Sequence, residues 1–144
     1  MDNELRKNVR LRWFESLLEL SHYEFQKKVW LEAGIENYVS DYTEAVCKYF
    51  DDLDLANGLL KFSEEGFISE TEASIFLKFH NEFQKYVSKT NKNNFSDAEI
   101  LEDMEWINLT FLAKENWNKL KEVLIDRNEL NILINLEKKF SKFL

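Results

Sequence analysis

Apolar residues recur every three or four positions along most of this chain, the spacing that lines one face of a helix. From about Asn3 to Leu20 the stripe is Leu5, Val9, Trp13, Leu17 and Leu20. A second segment after Ser21 carries Phe25, Val29 and Ala33, and a third from near Ser40 carries Tyr42, Val46, Tyr49, Phe50 and Leu53. A short fourth covers Leu55 to Glu64, and a fifth runs from about Glu70 to Lys89 with Ala73, Phe76, Leu77, His80, Phe83 and Val87. Beyond a polar loop, Thr90 to Asn94, a brief helical turn leads into a long helix near Met104 to Ile125. The last helix spans Arg127 to about Phe143. No segment alternates apolar and polar residues as a half-buried strand would.

Punctuation agrees with this division. Ser21, Ser69 and Ser96 each stand three residues before a glutamate, the pattern in which a hydroxyl and a carboxylate cap a helix start reciprocally. Asp126 is placed to cap the last helix. Gly34 and Gly66 read as helix stops, and Gly58, after Asn57, as a turn or a weak point in a helix. The chain has no proline at all, so nothing in it denies a helix its backbone donors. The expected fold is all-α: a single-domain irregular bundle of about six to seven helices over residues 1–144. A chain of this length buries roughly 68% of its unfolded surface and needs no metal or disulfide for stability.

Charge adds an asymmetry. The net charge is −8. Between Glu32 and Glu72 there are eleven acidic residues against Lys48 and Lys61, a balance of −9, and the rest is nearly neutral with 16 acidic and 17 basic residues. Such a segment repels phosphate backbones, which argues against nucleic-acid binding, and attracts a basic protein. A lone cysteine, Cys47, suits a reducing compartment. The opening residues, Met1 to Lys7, lack the apolar core of a secretory leader, and no window holds 18 apolar residues. The expectation is a cytoplasmic protein with no membrane span.

Catalytic and cofactor chemistry finds little to use. Isolated Gly34, Gly58 and Gly66 build neither a P-loop nor a dinucleotide-binding turn. Zinc usually takes four Cys or His ligands, and only Cys47, His22 and His80 are on offer, so no metal and no cofactor is expected. Glu19 and His22 share the Glu-x-x-His spacing of di-iron bundles, but that site needs a second copy and two more carboxylates. Asp51, Asp52 and Asp54 with Gly58 and Glu64 miss the ligand spacing of a calcium loop. Cys47 sits among Val46, Tyr49 and Phe50, where an inert thiol is expected. His80 lies on the apolar stripe of the fifth helix, the place of a hydrogen-bonded core histidine.

What remains is recognition. The acidic third carries Tyr38, Tyr42 and Tyr49, and tyrosine is favoured at interfaces for its apolar body and polar tip. With Asp51, Asp52, Asp54, Glu64 and Glu65 they form the candidate partner-binding set. The leading expectation is a non-enzymatic module that docks a basic protein, in one version a small immunity- or antitoxin-type inhibitor. Two alternatives stand beside it: a ligand-binding protein or enzyme with an interhelical pocket around His80, and a homo-oligomeric, for instance dimeric, structural domain.

Overall fold

A computed structural model describes residues 2–32 and 39–141. Among them are eight α-helices and no strand: α1 Asn3–Ser21, α2 Tyr23–Leu31, α3 Tyr42–Cys47, α4 Leu59–Glu64, α5 Glu70–Ser88, α6 Asp97–Glu102, α7 Met104–Val123 and α8 Arg127–Phe140. The count exceeds the expected six to seven because the brief turn after the polar loop is a helix in its own right, α6. Two expected helices also differ internally. The third passes from α3 directly into a π-helical turn, Lys48–Asp52, and the fourth breaks at Gly58 into a 3₁₀ turn, Leu55–Asn57, and α4.

Local chemistry accounts for most boundaries. Ser69 and Ser96 each make a complete capping box, with Glu72 and Glu99 respectively. Asp126 caps α8 by accepting from the Asn128 N–H at 2.8 Å. Ser21 does not cap α2, contrary to its spacing. Its hydroxyl donates to Leu18 C=O inside α1, and His22 takes the cap, with Nδ1 accepting from the Phe25 N–H at 3.0 Å. Gly58 and Gly66 both take positive φ, 99° and 87°, which glycine adopts without steric cost. At Gly66 the chain stops α4, and the Phe67 N–H closes back on Phe62 C=O at 3.2 Å. Gly34 and Ala33 lie outside the described residues, as does Phe143.

Helix α7 packs along both α1 and α5, and these three form the centre of the bundle. From Trp13 to Ser21 α1 is enclosed on nearly every side, with only Glu15 exposed and His22 half-buried beyond it. Its predicted stripe is therefore too narrow, and at its outer end Leu5 is exposed. Trp13 meets Phe76 edge-on at 5.4 Å. Phe83, Trp106, Tyr86 and Tyr42 continue an aromatic chain through α5, α7 and α3, offset and edge-on contacts that add to plain burial. Polar links run through the same core: Gln26, wholly buried, takes a hydrogen bond from Trp106 Nε1 at 2.9 Å and donates to Glu19 C=O at 2.8 Å. No helix of the described residues is long and apolar enough to cross a membrane.

Candidate functional site

Where α1 passes the π-helical turn, the surface opens into a cleft of about 300 Å³. On α1, Arg12, Glu15, Ser16 and Glu19 stand three or four residues apart, so they share one face. The π turn adds Lys48 and Asp52 to the lining, while Leu53, Phe25 of α2 and Phe140 of α8 supply apolar walls. Phe25 and Phe140 stack with centroids 4.4 Å apart. The result is an aromatic floor under a rim of five charged groups, three carboxylates and two cations.

Within the rim the charges are unequal in freedom. Glu19 is buried and accepts from Trp30 Nε1 at 3.0 Å and Ser40 Oγ at 2.8 Å, with Lys48 Nζ 3.5 Å away. Its charge is spent on the fold. Glu15 and Asp52 are exposed and join no ion pair among the described residues. Ser16 is buried, and its hydroxyl has no hydrogen-bond partner among the described residues. An unmet buried hydroxyl costs about 1–3 kcal/mol. No histidine or thiol lines the cleft.

The remaining candidates are scattered. Asp51, Asp52 and Asp54 are exposed at the end of the π turn and just after it. Asp54 takes φ 57° and accepts from Asn57 Nδ2 at 2.7 Å. Glu64 and Glu65 are exposed at the end of α4, next to Gly66, whose C=O accepts from Arg6 Nε, and they do not line the cleft. Tyr38 lies outside the described residues. The other two tyrosines turn inward, a correction to the expected surface. Tyr49 is wholly buried against Phe50, Phe79 and Phe83. Tyr42 packs its ring on Trp30 and Trp106, and burial followed by the charge of Asp103 pushes its hydroxyl up to about 12. Their large apolar area is worth more in the core than at the rim.

His80 is buried, and its Nδ1 is hydrogen-bonded to the Tyr49 hydroxyl at 2.8 Å. The rings of Tyr49 and Phe50 flank it, burial lowers its pKa, and it is not part of the wall of the cleft between α1 and the π turn. Slight burial, then the charge and hydrogen bond of Asp51, push the Cys47 thiol up, away from the reactive thiolate. Among the described residues no three His, Cys, Asp or Glu side chains come together as a metal site would need.

Of the residues that line the cleft, the sequence reading singles out Asp52 as a candidate, weighs Glu19 only as half of a Glu-x-x-His pair, and passes over Arg12, Glu15, Ser16, Lys48 and Phe140. A signal for part of it was present: in Trp13-Phe14-Glu15-Ser16-Leu17-Leu18-Glu19-Leu20, three polar residues interrupt an otherwise apolar run at helical spacing. No family model, curated protein or solved structure matches the chain.

Proposed function

We propose that the protein is a non-enzymatic binding module whose acidic segment, centred on the π-helical turn, docks a basic protein. One observation carries the reading. Of the ten described acidic residues from Glu32 to Glu72, nine are exposed, and among those nine only Glu65 is held in an ion pair, with Lys61. The tenth, Glu72, is buried against Arg10. The negative charge is therefore turned to solvent and left uncompensated, which steers a positive partner toward it. An inhibitor of a basic nuclease-like protein is one member of that class, and the small size and acidity of the chain suit it.

The test is capture of partners by the immobilised full chain, followed by measurement of the affinity for each purified partner. The expected partner is basic. Its affinity falls about tenfold or more between low and high salt, and again when Asp51, Asp52 and Asp54 are all changed to Asn. Capture of no basic protein, or binding indifferent both to salt and to the triple change, removes the proposal.

A further inference from the structure

We infer that the cleft between α1 and the π-helical turn seats one arginine side chain of that basic partner, an inference that rests on the docking function proposed above. Three features of the cleft select such an occupant. Its floor is apolar and aromatic, Phe25 stacked on Phe140 beside Leu53, a surface for the methylene stem and flat face of a guanidinium. The carboxylates of Glu15, on α1, and Asp52, in the π turn, both line the cleft and are not consumed by ion pairs within the described residues. Ser16 lines the same cleft and adds a buried hydroxyl with no hydrogen-bond partner among the described residues.

Size and charge point the same way. A volume of about 300 Å³ lies at the small end of ligand pockets, roughly 300–1,000 Å³, and accommodates a side chain rather than a folded element. Glu15, Glu19 and Asp52 against Arg12 and Lys48 leave the cleft at −1, with Lys48 directed at Glu19. Arginine fits better than lysine because its planar fork can address two carboxylates at once, whereas an ammonium is a single point charge. Among the described residues Arg12 is the cleft cation that joins no ion pair, and it opposes the occupant. That gives the inference a sign: neutralising Arg12 must strengthen binding.

The experiment titrates the full chain, isotope-labelled for amide NMR, with acetyl-Gly-Arg-Gly-amide and with its isosteric neutral citrulline counterpart. The arginine peptide is expected to shift the Ser16 and Leu53 amides saturably, with Kd on the order of 1 mM, and the citrulline peptide to leave them in place. Glu15→Gln with Asp52→Asn weakens binding about tenfold. Arg12→Gln tightens it about twofold to fivefold. Glu122→Gln, the loss of a single carboxylate charge at an exposed position outside the cleft, leaves it unaltered. Equal shifts with citrulline, weakening by Glu122→Gln as large as that by the paired Glu15→Gln and Asp52→Asn change, or weaker binding in Arg12→Gln would each overturn the arginine seat. Any of these leaves the docking of a basic protein standing, while failure to capture one removes that reading whatever the peptide does.

Discussion

Arg10 closes a fork on Glu72, its Nη1 donating to one carboxylate oxygen at 3.0 Å and its Nη2 to the other at 2.8 Å. Both side chains are buried. The same guanidinium reaches Glu129 at 2.6 Å through Nε and Phe67 C=O at 2.9 Å through Nη1, so α1, α5 and α8 meet on one cation. Glu72 meanwhile accepts from the Ser69 N–H at 2.8 Å, and one carboxylate both caps α5 and holds α1.

Removing that carboxylate leaves Arg10 buried with Glu129 alone. Breaking a buried pair by deleting one partner costs about 3–5 kcal/mol, and the surviving Glu129 contact places Glu72→Ala near 3 kcal/mol. Urea unfolding measures it as a lower midpoint at unchanged slope. A loss below about 1 kcal/mol would show that the fork does not hold the helices together.

Acid should weaken the fold in two stages. Burial holds His80 below its ordinary pKa of 6.5. Under pH 6.5 the unfolded chain therefore binds a proton that the folded chain refuses, and stability falls as pH falls. His22 adds to the slope, its pKa lowered by burial and then by the charge of Lys114. A second stage begins at the ordinary glutamate value of 4.5. Burial works against the Glu72 carboxylate, but the Arg10 and Ser69 hydrogen bonds outweigh it and hold its pKa below that value. Urea midpoints of the wild type should drop between pH 6.5 and 5, and those of His80→Phe should drop less. Identical slopes would show that His80 takes up its proton as readily folded as unfolded.

Gln26 offers a sharper test of the core. Changing Gln26 to Leu strands the Trp106 N–H and takes from the Glu19 C=O one of its donors, leaving it the His22 N–H at 3.4 Å, at about 2 kcal/mol, which lowers Tm by roughly 6 °C. Trp106→Phe strands only one of Gln26's groups and should cost less in hydrogen bonding. Calorimetry of the two variants decides the order.

Glu19 ties the cleft to the segment that follows α2. Glu19→Gln keeps an acceptor for Trp30 and Ser40 and should cost under about 1 kcal/mol. Glu19→Leu leaves the Trp30 N–H buried without a partner and should cost about 2 kcal/mol. Equal losses in the two variants, read from urea curves, would mean that the carboxylate acts through its charge on Lys48 instead.

The legible part of this molecule was the part written in local spacing. Ser69 and Ser96 cap as their glutamates three residues on imply, and Gly66 stops a helix because only its φ fits there. Ser21 carries the same spacing and fails, because His22 offers an imidazole nitrogen in the cap position itself. The cleft was less legible because its members come from α1, α2, the π turn and α8, and periodicity within one helix says nothing of which helices meet. Tyr49 shows the same limit. Residence in an acidic stretch suggested the surface, yet the chain's path puts its hydroxyl on His80.

An i→i+5 turn admits one residue more than a regular α-turn, and here that residue keeps two demands in phase. Tyr49 and Phe50 point inward, Asp51 and Asp52 outward, and Leu53 inward again, all within a single winding. Shortening Lys48–Asp52 by one residue returns the turn to ordinary α winding and removes one member of this inward and outward sequence. The aromatic anchor and the negative rim then cannot both stay where they are: interior packing and outward acidity are geared together at this point of the backbone.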